Sequence, residues 1–247
     1  MLKASINYYK EHNTDQTVIG NKFNQVKYFL SKLDNQKMGN NLRVLDVGCG
    51  LGVYGAEFGK KYNSKVYGID LERSAIKVAN SLGLKAKCSD IDQKWPYSAN
   101  SFDTVLGIQI IEHVYNTDHF FLESRRVLKN CGLLIITTPN LAAWYNRIVF
   151  LFGYQPFFTE VSMKDKTIGL SFTRKFTSNR EAVGHLRVFT LKAIEEILAL
   201  YNFKIEKILG GSVDYLPGFM KPLDKIFAHF PALSSDIILI ARNQKNE

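Results

Sequence analysis

Between Leu42 and Asn140, short apolar and β-branched runs alternate with segments whose apolar residues recur at helical spacing. "LRVLDVGC", "KVYGID", "KAKCSD", "FDTVLGIQ" and "GLLIITTPN" are predicted strands, and "VYGAEFGKKY", "ERSAIKVANSLG" and "TDHFFLESRRVLKN" are predicted helices. The central strands are apolar on both faces, so the alternation predicts a mostly parallel sheet covered by helices on both sides. After Asn140 the rhythm breaks, and it resumes with "TLKAIEEILALYNF", in which Leu191, Ile194, Ile197 and Leu198 share one helical face. Residues 141–188 are therefore expected to be an insertion after the fifth strand. Two more strands, "FKIEKILGG" and "SDIILIAR", flank a Pro-bearing segment from Leu216 to Leu233. At the other end, Phe23, Val26, Leu30 and Leu33 predict one helix within an N-terminal helical segment, residues 1–40. There is no internal repeat, and the 247 residues are expected to form a single α/β domain.

Composition narrows the setting. A content of 46% hydrophobic and 13% aromatic residues is enough for a full core. Cys49, Cys88 and Cys131 are an odd set whose spacing matches neither a disulfide framework nor a zinc site, which favours a reducing, cytoplasmic location. The start, "MLKASINYYKEHN", lacks the apolar core of a signal peptide. The most apolar stretch, "LAAWYNRIVFLFGYQPFF", is broken by Asn146, Arg147, Gln155 and Pro156, too often for a bilayer span of about 20 residues. A formal net charge of +9 suits an anionic partner: nucleic acid, a phosphorylated metabolite or a lipid surface.

The strongest local signal is "VLDVGCGLG", a strand running into Gly48, Gly50 and Gly52 at the mouth of a helix. Glycines there let a ligand approach the backbone at the carboxyl end of the sheet. A dinucleotide fingerprint would need glycine where Val53 stands, and its pyrophosphate would be opposed by Asp46. S-adenosylmethionine carries a sulfonium and an ammonium and no phosphate, so the carboxylate favours it. Asp70 closes the second strand about 20 positions after Gly50, where an acid can accept from both ribose hydroxyls. Asp90 in "SDI" is placed to accept from an adenine amino group, with the backbone of Ile91 at the ring edge. Cys49 within the loop reads as a small packing residue.

From about Leu42 to Asn140 the chain resembles a class I S-adenosylmethionine-dependent methyltransferase. Within that superfamily "VLDVGCGLG", "GIDLERSAI", "IIEHV", "RRVLKNCGLLIITTPN" and "GHLRVFT" resemble the branch of ubiquinone-biosynthesis O-methyltransferases and sugar or polysaccharide methyltransferases. The resemblance implies a Rossmann-like, seven-stranded sheet with its last strand antiparallel. It also implies that Asp46, Gly48 and Gly50 border the methionine moiety, Asp70 the ribose, Leu71, Asp90 and Ile91 the adenine, and Gln109 the donor's methionine end. "LKNCG" departs from the Pro-Gly turn usual before the fifth strand.

Candidate chemistry then centres on Glu112 and His113, which end the run "GIQIIEHV", and on His185 after the insertion. In relatives resembling this segment, a Glu-x-x-Glu-His motif with a distant histidine binds a divalent ion. Here Gln109 replaces the first glutamate and removes one negative charge. The expectation is therefore metal-free, with His113 or His185 as general base and Glu112 orienting one of them. Structurally, Glu112 could instead favour a helix N-terminus while His113 fills a polar niche. Tyr8 and Tyr9 could close over the cofactor. The insertion joins an aromatic first half to Lys164, Lys166, Arg174, Lys175 and Arg180, and is expected to be a substrate lid. Its aromatics suit an apolar or ring-shaped acceptor and its cations a phosphate. A lipid-linked sugar would use both, as would peripheral contact with a membrane. The expected activity is methyl transfer to an oxygen of a small molecule, sugar or lipid-linked glycan. RNA methylation ranks below it, because no RNA-binding module is present and the basic residues are dispersed. A non-catalytic binding protein would have no need of three strand-end acids. No pattern here specifies an oligomeric state.

Overall fold

The computed structural model describes residues 26, 28–33, 39–177, 179–213 and 216–245. Seven strands form one sheet: β1 (Arg43–Val47), β2 (Lys65–Asp70), β3 (Lys85–Cys88), β4 (Phe102–Ile108), β5 (Leu128–Pro139), β6 (Phe203–Gly211) and β7 (Asp236–Asn243). Their order is β3-β2-β1-β4-β5-β7-β6. β7 runs antiparallel to both β5 and β6, while the other neighbours pair in parallel. The helices are α1 (Val53–Lys61), α2 (Arg73–Ser81), α3 (Thr117–Val127), α4 (Trp144–Leu151), α5 (Leu191–Leu200) and α6 (Lys221–Phe227).

The two-residue period of a strand divides the core between the faces of the sheet. Leu45, Val105, Leu134 and Leu239 face one cluster, completed by Phe120 and Phe121 of α3 and Ile194 and Leu198 of α5. Their neighbours Val44, Leu106, Ile135 and Ile240 face the other, with Phe58 of α1 and Ala79 of α2. Each such side chain contributes about 1.5–3 kcal/mol on burial. Val26, Leu30 and Leu33 pack on this second cluster, and residues 28–32 are helical, as their spacing predicts. Phe23, Tyr8 and Tyr9 lie outside the described residues.

Two features depart from the pattern. β5 begins at Leu128, so "LKNCG" is the first part of the strand, with a register irregularity opposite Phe102 and Thr104. Cys131 takes the left-handed conformation there (φ 60°). The insertion and the Pro-bearing segment also carry α4 and α6, which lock together. The Trp144 ring stacks on Phe227 at 5.2 Å, and its Nε1 donates to buried Asp224 at 2.9 Å. Asp224 also accepts from Ser235 Oγ and from the backbone N–H of Val213. This buried carboxylate has partners on both oxygens, so it anchors the β6–β7 connection.

Candidate functional site

The glycine loop leaves β1 and is tied to the end of β2. The backbone N–H groups of Gly48 and Cys49 donate to the carbonyl of Ile69, at 2.8 and 3.1 Å. Gly48 is left-handed (φ 68°), and a Cβ there would come within 2.4 Å of Ile110. Gly50 is also left-handed (φ 51°), but nothing lies within 4 Å of where its Cβ would be. Gly48 is thus required by close packing on Ile110 as well as by its backbone, whereas Gly50 is required by its backbone alone and leaves open space above the loop. Asp70 Oδ2 accepts from the N–H of Gly50 at 2.8 Å and Oδ1 from that of Glu72 at 2.9 Å. The sequence spacing reads Asp70 only as a ligand contact; the structure gives it a second task, holding the loop.

Below the loop, Asp46 is buried and its Oδ2 has no hydrogen-bond partner among the described residues. Burial pushes its pKa up to about 7, and the nearby Asp70 adds to the rise. An orphaned buried carboxyl oxygen is costly unless something pairs with it. With an open glycine cradle, that fits a ligand carrying a positive charge and no phosphate. Burial and the charges of Asp46 and Asp70 raise the Cys49 thiol, which is consistent with packing and not nucleophilic attack. Asp90 Oδ1 accepts from the N–H of Asp92 and shapes the turn after β3. Beside it Ile91 is half-buried, while Leu71 after β2 is exposed.

Glu112 and His113 are not a helix start. They lie in a turn after β4, and α3 begins only at Thr117, capped by Asn116 Oδ1 accepting from the N–H of His119. The N-cap is Asn116, so an acid four positions earlier has no helix dipole to complement.

What the turn does instead is bind the end of the insertion. The carbonyl of Glu112 accepts from the N–H of Leu186 at 2.8 Å. Arg187 Nη1 donates to the carbonyls of Val114 and Tyr115. At the base of the insertion the N–H of Leu141 donates to the carbonyl of Phe189. These bonds bring His185 onto His113: the rings stack with centroids 4.8 Å apart, inclined by 29°. His113 Nδ1 lies 3.2 Å from the carbonyl oxygen of Gly184. A carbonyl only accepts, so Nδ1 carries the proton and Nε2 is the basic nitrogen. Burial lowers the His113 pKa, partly opposed by the Gly184 carbonyl. His185 is driven further down, to about 3, by burial and then by the neighbouring His113 and Lys166.

Glu112 is fully buried. Oε2 accepts from Thr138 Oγ1 at 2.9 Å, and Oε1 has no hydrogen-bond partner among the described residues. Burial raises its pKa to about 8, which favours the neutral acid near pH 7. It is not bonded to either imidazole; Thr138 orients it. One ligand atom from each of Glu112, His113 and His185 lies within 4.8 Å of the others, a grouping that could hold a metal ion.

These three side chains and Gln109 line a cavity of about 710 Å³. Its walls include Tyr28, Phe29, Tyr54 and Phe158, its cationic groups are Lys32 and Lys225, and His229 adds an imidazole. Gln109 is left-handed (φ 52°), and Nε2 donates to Thr137 Oγ1. The next residue, Ile110, packs under Gly48, so one dipeptide touches both the loop and the cavity. The insertion contributes Phe158, Val183 and His185 to the lining, but Arg174 and Lys175 are exposed on a 3₁₀ turn away from it. Arg174 is engaged with Asp165 and Thr167.

Sequence reasoning missed two acids. Asp236, at the start of β7, lines the cavity, and burial and the Asp224 charge raise its pKa to about 7. Glu160, within the insertion, accepts from the backbone of Val183, Gly184 and His185. Nothing in "FFTEVS" or "SSDII" marks either, because their partners are distant in sequence.

Comparisons with known proteins bear on the family and the fold. Residues 39–180 match the family model described as a methyltransferase domain. A ubiquinone biosynthesis O-methyltransferase from Pelagibacter ubique is 33% identical over 124 residues, covering 48% of this chain and 50% of that protein. Ajmaline N-methyltransferase from Rauvolfia serpentina is 36% identical over 110 residues, 42% of this chain and 37% of that one. The chain thus matches half or less of the length of these two relatives. In fold, it is similar to a chain from the complex between the Haloferax volcanii Trm112 methyltransferase activator and a methyltransferase, with TM-score 0.67, 12% identity and 96% and 97% of the two chains covered. A family model that covers more than half the chain, on a sheet of this order, leaves one assignment: the protein belongs to the class I S-adenosylmethionine-dependent methyltransferases.

Proposed function

We propose that this protein transfers the methyl group of S-adenosylmethionine to an oxygen of a small amphiphilic acceptor held in the cavity beside His113. The observation that carries the reading is the basic Nε2 of His113, set by the Gly184 carbonyl, on the wall of a cavity that also reaches Gln109. The glycine loop, Asp46, Asp70, Leu71, Asp90, Ile91 and Gln109 would hold the donor. When bound, S-adenosylmethionine supplies an electrophilic methyl on a sulfonium. His113 Nε2 takes the proton from the acceptor hydroxyl, and the neutral Glu112 carboxyl supplies a hydrogen-bond donor to the same space. The aromatic walls suit an apolar or ring-bearing acceptor, and Lys32, Lys225 and His229 suit an anionic group on it. The insertion, residues 141–188, acts as a lid by contributing Phe158, Val183 and His185 to the lining.

A second reading has a specific observation behind it. The clustered ligand atoms of Glu112, His113 and His185, with Glu112 Oε1 and His185 Nδ1 both lacking hydrogen-bond partners, suit a divalent cation that would lower the hydroxyl's pKa. Similarity to an N-methyltransferase likewise keeps a nitrogen acceptor in play. Transfer of labelled methyl to a fractionated extract, with the mass of the labelled product measured, tests the proposal. Label on a hydroxyl-bearing amphiphile supports it; label on nucleic acid or on an amine overturns the oxygen assignment. Activity abolished by chelator and restored by magnesium or manganese replaces the metal-free base by the metal.

A further inference from the structure

One carboxylate in the insertion holds the segment that carries both histidine settings. Glu160 has its side chain 5% exposed, and it receives three backbone N–H groups: Val183 on Oε1 at 2.9 Å, Gly184 on Oε2 at 2.9 Å and His185 on Oε2 at 3.3 Å. Gly184 is left-handed (φ 87°), the conformation in which consecutive N–H groups turn toward one anion. The held segment then acts on the site twice. Its Gly184 carbonyl sets the His113 tautomer, and its His185 ring stacks on His113. Glu160 Oε1 also stands 3.7 Å from His185 Nδ1, where an anion favours the proton on that nitrogen.

We propose that Glu160 is the positioning residue for the histidine pair: it fixes Nδ1–H in His113 through the Gly184 carbonyl, favours it in His185 by its charge and holds the two rings stacked, and it thereby makes the insertion part of the catalytic apparatus and not only a cover. The catalytic meaning of this role rests on the proposed function; the positioning itself does not. Hydrogen bonds to an ionised acceptor are roughly twice as strong as neutral ones, and three on one carboxylate give the segment a single geometry. An amide in its place presents one acceptor oxygen and an N–H₂ that opposes the backbone donors, so Glu160→Gln breaks the arrangement at nearly constant volume.

The test reads the imidazoles directly. In ¹⁵N-histidine-labelled protein without acceptor, nitrogen–proton correlation spectra of the parent should show His113 and His185 with protonated Nδ1 and unprotonated Nε2. Glu160→Gln should mix the tautomers of both, and Glu160→Asp, which keeps the charge on a shorter stem, should do so less. Donor affinity by calorimetry should stay within about twofold and kcat should fall by about 10- to 100-fold, the range for partners that orient reacting groups. Unchanged imidazole spectra in both variants overturn the positioning role. Should the glutamine variant fail to fold, the aspartate variant decides by the same spectra. If the spectra change while kcat does not, Glu160 positions the pair as proposed, and it is the catalytic reading of the histidines that falls.

Discussion

His113 and His185 lie in stacked contact, 4.8 Å between ring centroids, although one follows β4 and the other closes the insertion. Two imidazoles this close cannot both hold a positive charge cheaply, and burial with His113 and Lys166 nearby drives His185 to about 3. Under the proposed function, the proton-accepting partner is His113. His113→Ala should reduce kcat by ~10²-fold or more, the usual contribution of a general base. His185→Ala, which removes the stacking ring, should reduce it less. Donor affinity should survive in both. Steady-state kinetics beside calorimetry check this, and full activity in the His113 variant would return the pair to a structural role.

A base works only when deprotonated, and burial moves the His113 pKa below its ordinary value of 6.5. The acid limb of the kcat/KM profile should therefore fall below pH 6.5, with the rate near its plateau at neutrality. A limb centred above pH 7 would assign the base to another group.

Glu112 titrates in the opposite sense. Its folded pKa is raised to about 8 against 4.5 for an exposed glutamate, so the native state binds its proton more tightly. That contribution is complete below pH 4.5 and is lost as pH rises toward 8. Glu112→Gln keeps an acceptor for Thr138 Oγ1 and removes the buried ionisation. Thermal melts should show the variant more stable than the parent at pH 8.5, by about 3 °C or more, and equal to it at pH 5. An equal difference at both pH values would show that ionisation is not the cause.

Asp70 accepts from Gly50 and ends β2 beside the donor loop. Asp70→Ala should weaken S-adenosylmethionine binding by about 1.5–3 kcal/mol, or roughly 10- to 150-fold, the range for hydrogen bonds to a charged group. Asp70→Asn should lose less, since Oδ1 can still take one backbone N–H. Calorimetry of the two variants tests the order.

The outer side of α6 and the turns before and after it expose Phe219, Leu223, Ile226 and Phe230 at spacings of three and four, and Phe219 is 82% exposed. Lys225 and His229 in the same segment line the cavity. An amphiphilic acceptor reached from a lipid surface would use both sides of this element. Sedimentation with anionic vesicles should capture the protein, and replacing Phe219 and Ile226 by Ser should weaken capture severalfold with donor binding intact. No helix among the described residues is long and apolar enough to cross a membrane. Equal capture of parent and variant would remove this face from the contact.

Strand and helix order and the glycine loop were legible in the chain, because each is written in nearby residues; the antiparallel last strand followed only from the family resemblance. Period-two and period-3.6 apolar patterns declare which faces are buried, and three glycines after a strand declare where the backbone must turn tightly. The candidate donor acids were legible for the same reason: Asp46, Asp70 and Asp90 stand at or beside strand ends, and the end of a strand in a parallel sheet is a place known from sequence alone. The acceptor side was not. His113 next to Glu112 looked equally like the opening of a helix, and only the bonds from Leu186 and Arg187 to the turn at 112–115 make it a site. The cations expected from Arg174 and Lys175 are replaced at the cavity by Lys32 and Lys225, contributed by segments near the two ends of the chain. Glu160 reads in sequence as one more surface acid, and becomes a buried anchor because the chain returns to it with three N–H groups. Local periodicity determines what each segment becomes; which polar groups meet across an insertion depends on long-range closure, and no local pattern encodes that.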